Sequence, residues 1–280
     1  MSKTKLNILI VGEGSWGSAL AVVARSNNHN VITEARTHKN DSIAYDSIIF
    51  AVPSDALSNC VENRLQIAPK ADIIIATKGM VHNEAELFSS YFKRKFNIEP
   101  IFLSGPNFAK EVANKLPASA DIACKNIEKA QKVCDYLSTE YFSLKSTDDI
   151  ISVQLAGCYK NILAIYCGYL SALNMGDNMR AKICTEGIAE LKVICQKLGG
   201  NAYTIDSYSG IGDIILSCFS DQSRNFRYGM QIAKSKNENL GCVEGIKAAK
   251  SLAKLCKNFY KELEILPKIV KLIENYEGKR

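Results

Sequence analysis

Residues 6–26 read LNILIVGEGSWGSALAVVARS. An apolar run, LNILIV (6–11), ends at Gly12. Gly12, Gly14 and Gly17 then fall in GxGxxG spacing, and SALAVVARS continues as a helix. In such a turn the first glycine makes the tight bend after the strand. The second lets the backbone approach a pyrophosphate, and the third lets the helix pack on the sheet. The helix N-terminus then offers free N–H groups and a positive dipole end to phosphate. The order strand, glycine turn, helix therefore predicts dinucleotide binding. One oddity remains: Trp16, the sole tryptophan in the chain, stands inside the turn.

The rhythm continues downstream. Strand-like runs recur at 5–11, 30–35, 47–52, 72–77, 100–104 and 118–124, with helical stretches at 15–28, 55–66, 83–96, 107–114 and 126–139. Most of the runs are continuously apolar, as strands buried on both faces of a parallel sheet are. The alternation predicts a doubly wound α/β sheet of Rossmann type. One crossover is minimal, because only residues 37–47 join the second strand to the third, at the lower limit of ~10–12 residues. From about residue 148 the pattern turns helical, with stretches at 178–199, 206–219, 222–236, 243–257 and 262–276. The expected organisation is a dinucleotide-binding domain over 1–146 and an all-helical C-terminal domain over 147–280.

Bulk properties narrow the function. The chain has 280 residues, 47% hydrophobic and 23% charged, with net charge +6 from 35 Lys+Arg against 29 Asp+Glu. The basic residues are scattered, so nucleic acid is not an expected partner. A mildly basic chain suits a small anionic substrate. The ten cysteines form no CxxC pair, and no His/Cys group has metal-ligand spacing, so no metal is expected. They read as buried thiols in a reducing compartment. The N-terminal apolar run passes straight into the glycine turn and does not read as a signal peptide. The longest weakly charged stretch, 155–170, has 16 residues with Lys160 inside it, where a membrane span needs ~20 apolar residues. A soluble cytoplasmic protein without integral membrane association is the expectation.

Several residues invite chemistry. The second strand ends in TEARTHK (33–39). An acid there reads the ribose of NAD, and a basic residue accommodates the 2′-phosphate of NADP. Glu34 and Arg36 supply one of each. The three histidines, His29, His38 and His82, have no catalytic setting. Lys160 is the one charged residue of its apolar stretch, where burial disfavours an ammonium and suits it to acid–base work. The alternative is a snorkelling lysine with its head in water. Lys78 follows the apolar run DIIIAT, at the strand end where α/β folds place ligands.

Eight blocks occur in order: GEGSWGSALA (12–21), ATKG (76–79), SGPNFAKEV (104–112), YKN (159–161), GIAEL (187–191), GIGDIILSC (210–218), DQSRNFRYG (221–229) and VEG (243–245). Together they resemble the bacterial NAD(P)H-dependent glycerol-3-phosphate dehydrogenases, over about residues 7–250. The resemblance implies a Rossmann domain followed by a helical one. It implies reduction of dihydroxyacetone phosphate to sn-glycerol 3-phosphate with NADPH or NADH, feeding glycerophospholipid synthesis. It makes Lys160 the general acid/base and Lys78 a substrate and cofactor contact. Gly105 and Asn107 would touch substrate, Asn107 standing where the family often has Ser or Thr. Ala109 would touch the cofactor. Arg224 would clamp the phosphate and reach the nicotinamide cofactor, with Ser223 and Asn225 as neutral donors. Asp213 would orient a substrate hydroxyl or hold Lys160. Cys242 and Glu244 fall in a second cofactor-ribose block. Gly12, Gly14, Ser15, Trp16 and Gly17 would line the cofactor, unless Trp16 only packs the first helix on the sheet.

The chain departs from the resemblance in short segments after Arg36 and over 234–242, and in a brief C-terminal helix region. Arg36 tilts the cofactor expectation toward NADPH. A homodimer is compatible with the apolar C-terminal helices. Two rivals stand beside this reading. One is a 3-hydroxyacid dehydrogenase, which has the same architecture but lacks the combined GxGD and QSRN blocks. The other is a non-catalytic NAD(P)-binding sensor.

Overall fold

Continuous apolar runs become the centre of a seven-stranded sheet. In the computed structural model, residues 4–35, 44–65, 70–236 and 238–278 are described. The chain divides into two units, Met1–Lys78 with Ser89–Ile150, and Gly79–Phe88 with Ile151–Arg280. Residues 79–88 thus pack with the helical unit, an excursion that a single cut near residue 146 does not anticipate.

In the first unit the strands are β1 (Asn7–Val11), β2 (Asn30–Glu34), β3 (Ser47–Phe50), β4 (Asp72–Ile75), β5 (Ile101–Ser104), β6 (Ala118–Ala123) and β7 (Phe142–Thr147). They lie in the order β2-β1-β3-β4-β5-β6-β7. Helices α1 (Ser15–Ser26), α2 (Ser54–Leu65), α3 (Phe88–Phe96), α4 (Ala109–Ala113) and α5 (Ile127–Leu137) connect them. Ile8, Leu9 and Ile10 of β1 and Ile48, Ile49 and Phe50 of β3 are wholly buried. That is the physical meaning of their unbroken apolar sequence. The chain leaves β1 toward β2 on one side and returns to β3 on the other. This places a topological switch at the carboxyl end of β1, where open α/β sheets bind ligands.

The far edge differs from an all-parallel reading. β6 runs antiparallel to β5, with β7 parallel to β6. The only helix between β5 and β6 is α4, of five residues. A helix of that length spans about 7.5 Å, too little to carry the chain back along a strand for a parallel return. His29 is part of this fold and not of a site. Its Nδ1 accepts from the Leu6 N–H at 3.3 Å, so its Nε2 donates to the Tyr136 carbonyl at 2.9 Å.

The second unit contains α6 (Ile150–Ala172), α7 (Gly176–Lys197), α8 (Asp213–Cys218), α9 (Arg224–Lys234), α10 (Glu244–Leu255) and α11 (Ile265–Glu277). α6 is longer than the apolar stretch suggested. Its 23 residues are enough, by length and composition, to cross a membrane, yet 83% of its most apolar window is buried inside the protein. A helix apolar on most faces is accounted for here by helices packed all around it.

The GIAEL block explains itself in this core. The buried Glu190 carboxylate accepts from the N–H groups of Glu264, Ile265 and Leu266 at 2.5, 2.7 and 2.8 Å, and from the Tyr159 hydroxyl at 2.9 Å. It is the anionic cap of α11, placed at the positive end of the helix dipole. Burial, and then the Glu190 carboxylate, push the Tyr159 phenol well above its ordinary value. Glu190→Ala leaves buried donors unpaired and is expected to lower the unfolding free energy by roughly 3 kcal/mol or more in urea titrations. A loss under about 1 kcal/mol would show that water replaces the cap.

Candidate active site

The glycine turn sorts its residues by what surrounds them. Gly12 has φ +120°, and a Cβ there would sit 2.4 Å from the Ala51 carbonyl oxygen. A Cβ on Gly17 would sit 1.8 Å from the Gly12 carbonyl oxygen. Both positions are closed by the protein's own backbone. Gly14 is the reverse case, with nothing within 4 Å of a Cβ built on it. It is the N-cap of α1 and makes no side-chain cap, and a helix start without one leaves its first N–H groups to water or a ligand. That cradle fits a pyrophosphate. Ser15 is exposed beside it, and Trp16 is half-buried against the core of the sheet unit.

Glu34 ends β2 but does not face outward. It is buried and paired with the equally buried Arg64 of α2. Its charge is spent inside the fold. Arg36 and His38 lie outside the described residues.

Two substrate candidates meet at the carboxyl ends of β4 and β5. The Lys78 ammonium donates to the Gly105 carbonyl at 2.8 Å. Gly105 has a structural reason to be glycine. A Cβ there would lie 2.5 Å from the Ser119 carbonyl oxygen and 2.6 Å from the Ala120 Cα, so β6 itself demands the glycine. The Asn107 amide donates to the carbonyls of Pro106 and Ser119, each at 2.9 Å. Its Oδ1 is buried without a hydrogen-bond partner, an acceptor that a ligand would satisfy. Ala109 opens α4 and packs against the sheet core.

In the helical unit Lys160 does not snorkel to water: its stem lies on an apolar helix and its ammonium is met by polar partners. Its ammonium donates to Ser217 Oγ at 3.0 Å and lies 3.4 Å from Asp213 Oδ1. The Ser217 hydroxyl in turn donates to the Asp213 carboxylate at 3.4 Å. Asp213 and Ser217 are one turn apart on α8, so they share a face. The lysine side chain is 12% exposed and the aspartate 2%. A π-helical turn, Tyr208–Gly212, precedes α8 and sets where Asp213 starts; such turns often occur at functional sites. Sequence reading named Lys160 and Asp213 but missed Ser217, whose only signal is its spacing of four from Asp213.

The DQSRN block is more structural than its residue types suggested. Ser223 Oγ caps α9 by accepting from the Phe226 N–H at 3.3 Å. Asn225 is buried, its amide donating to Asn161 Oδ1 at 2.8 Å and its Oδ1 accepting from the Gly245 N–H at 3.0 Å. It ties α6, α9 and α10 together. Arg224, by contrast, is exposed at the first position of α9. Its guanidinium lies close enough to the exposed Cys242 to favour the thiolate, although partial burial and Glu244 push that thiol up on balance. The Cys242 thiol donates to Glu244 Oε1 at 3.6 Å. His82 joins this group unannounced by the sequence. Its Nε2 is 3.8 Å from Glu244 Oε2, and its Nδ1 is 3.0 Å from Ser251 Oγ.

Comparison with known proteins decides the family. Residues 33–130 match the profile of the NAD-dependent glycerol-3-phosphate dehydrogenase N-terminus, and residues 149–279 that of its C-terminus. The chain belongs to the NAD-dependent glycerol-3-phosphate dehydrogenase family. A curated relative named glycerol-3-phosphate dehydrogenase [NAD(P)+], from Francisella tularensis subsp. mediasiatica, is 34% identical over 93% of this chain and 90% of its own length. The crystal structure of glycerol-3-phosphate dehydrogenase from Coxiella burnetii superposes with a TM-score of 0.86 at 26% identity, covering 99% of this chain and 96% of that one. The Plasmodium falciparum glycerol-3-phosphate dehydrogenase shares the fold, with a TM-score of 0.84 at 23% identity over 97% and 92% of the two chains. As a member of this family the chain is an oxidoreductase that uses NADH or NADPH. The open cradle at Gly14 fits that cofactor class.

The contrast between the glycines gives a test. Gly17→Ala is expected to cost roughly 2 kcal/mol or more, because backbone must move. Gly14→Ala, with allowed φ and free space, is expected to leave Tm unchanged. Equal Tm losses in the two variants would contradict the division of roles.

Proposed function

We propose that this chain reduces the ketone of dihydroxyacetone phosphate to sn-glycerol 3-phosphate, with Lys160 as the proton donor. The observation that carries the reading is the Lys160 ammonium, largely buried and held by Asp213 and Ser217 at 3.4 and 3.0 Å. A ketone reduction needs an acid aimed at the developing alkoxide. When bound, the reduced nicotinamide supplies the hydride. Lys160 gives its proton to the carbonyl oxygen and regains one from solvent. Asp213 and Ser217 fix the direction of the N–H bonds and keep the ammonium paired between turnovers. Lys78, held at Gly105, is by the family resemblance a substrate contact that can polarise a carbonyl. Arg224 offers its planar fork to the phosphate, and its freedom at the surface of α9 supports that role. Ser223 and Asn225 then serve by holding the helix start and positioning Arg224, more than by donating directly.

The cofactor would lie on the Gly12–Gly17 turn, with Ser15 and Trp16 along it, and would be met by Ala109, Arg224, Cys242 and Glu244. NADPH is favoured over NADH. Glu34, the acid that would read a free ribose 2′-hydroxyl, is engaged by Arg64, and Arg36 remains as the basic residue for a 2′-phosphate. We place the enzyme in the cytoplasm as a homodimer supplying glycerol 3-phosphate for glycerophospholipid synthesis. Ten cysteines, none of them in a disulfide, support a reducing compartment.

Two measurements test this reading. Dihydroxyacetone phosphate is expected to drive oxidation of NADPH with higher kcat/KM than of NADH, and Arg36→Ala to narrow the ratio. Turnover with neither cofactor would overturn the reading, and a preference for NADH would reverse the selectivity. Second, fluorescence of the sole tryptophan, Trp16, is expected to change on saturation with NADPH; a flat titration would place the cofactor elsewhere.

A further inference from the structure

Three cysteines far apart in sequence converge in the helical unit. Cys167 lies on α6, Cys184 on α7 and Cys218 at the end of α8. Their sulfur atoms all lie within 4.8 Å of one another, and all three residues are buried. Cys167 Sγ and Cys184 Sγ are 3.7 Å apart. Zinc–thiolate bonds of about 2.3 Å in tetrahedral geometry put neighbouring sulfurs about 3.8 Å apart. One edge of such a site is therefore already at ligating distance, and the third sulfur needs a shift of no more than about 1 Å.

We propose that Cys167, Cys184 and Cys218 form a buried three-thiolate site for a divalent thiophilic d10 cation, represented by Zn(II), that pins α8 to α6 and α7.

The donor set is all sulfur, which selects soft or borderline cations over Mg(II) or Ca(II). Charge selects a divalent ion. Each thiol that ligates releases its proton to solvent, leaving three negative charges against two positive ones. The remaining negative charge faces Arg180, whose guanidinium favours the thiolate forms of both Cys167 and Cys184. Arg180 is held nearby over the rings of Phe219 and Phe226, 5.1 and 5.9 Å from their centres. The thiols are already polarised toward one another. Hydrogen bonding from Cys167 and then Cys218 lowers the Cys184 thiol far below its ordinary value. In exchange, the bond to Cys184 raises Cys167. Burial first, then the bonds to Cys167 and Cys184, push the Cys218 thiol well above its ordinary value, so the pocket favours a single thiolate at Cys184 and the other two protons leave only when a cation takes their place.

The position gives the ion a consequence. Cys218 directly follows Ser217, and Cys167 is two helical turns beyond Lys160 on the same face of α6. A cation here would fix α8, with Asp213 and Ser217, against the helix that carries Lys160.

The test uses the full chain, stripped of metal and kept reduced. Titration with Zn(II) against a chromophoric chelator is expected to show one tight site, with Tm rising several degrees. Co(II) is expected to give the intense near-ultraviolet sulfur-to-metal charge-transfer bands of three thiolates, displaced by Zn(II). Cys184→Ser and Cys218→Ala are each expected to abolish both signals, while Cys124→Ala, a buried cysteine in the sheet unit, leaves them intact. Because the Co(II) spectrum is read on the wild-type chain, a variant that fails to fold does not remove the test. Absent charge-transfer bands, or Zn(II) binding unchanged in Cys184→Ser, would overturn the proposal.

Discussion

An ammonium group placed on the inner face of an apolar helix must find a carboxylate, and that requirement shapes the helical unit. Lys160 is carried into the core by α6, whose neighbouring residues are almost all buried. An unpaired charge there would cost several kcal/mol. Asp213 answers it, itself 1% exposed and equally in need of a partner. The two charges are affordable only together. The π-helical turn before α8, the face shared by Asp213 and Ser217, and the Asn161–Asn225–Gly245 brace around them all fix this meeting. The arrangement that stabilises the pair also fixes where the Lys160 ammonium sits, which is what the proposed proton transfer needs.

The sheet unit poses a different problem, shaping a turn that fits an anion without a charged side chain. Gly12 and Gly17 are needed because backbone crowds them, whereas Gly14 is needed because space must remain. The N–H groups of α1 then supply the positive end. Glu34 shows how a residue that the pattern offers to a ligand can be taken up inside the fold: its carboxylate, at the end of β2, is paired with the buried Arg64.

Much of this was legible in the sequence, for physical reasons that also mark where reading stopped. β1, β3 and β4 were visible because a strand buried on both faces is continuously apolar. β7 was not, because FSLKST lies at the sheet's edge, buries only Phe142 and carries few apolar residues. The reversal at β6 depends on the brevity of α4, a boundary that pattern alone does not fix. The glycine turn, Lys160 and Asp213 could be named from motifs. Ser217, His82 and Arg64 could not, since each owes its role to a partner distant in sequence: Ser217 to Lys160, His82 to Ser251 and Glu244, and Arg64 to Glu34. Gly105 was named as a substrate contact, and the structure adds a reason for the glycine that the sequence does not show: its missing side chain makes room for β6. The three clustered cysteines escaped any spacing rule because three helices bring them together.

On the proposed mechanism Lys160 supplies the proton while the cofactor turn binds independently of it. Steady-state kinetics of Lys160→Ala, with NADPH affinity measured on the same preparation, separates the two roles. The expected result is a fall in kcat of roughly 10²–10⁴-fold with Kd for NADPH unchanged. Near-normal turnover in that variant would contradict it.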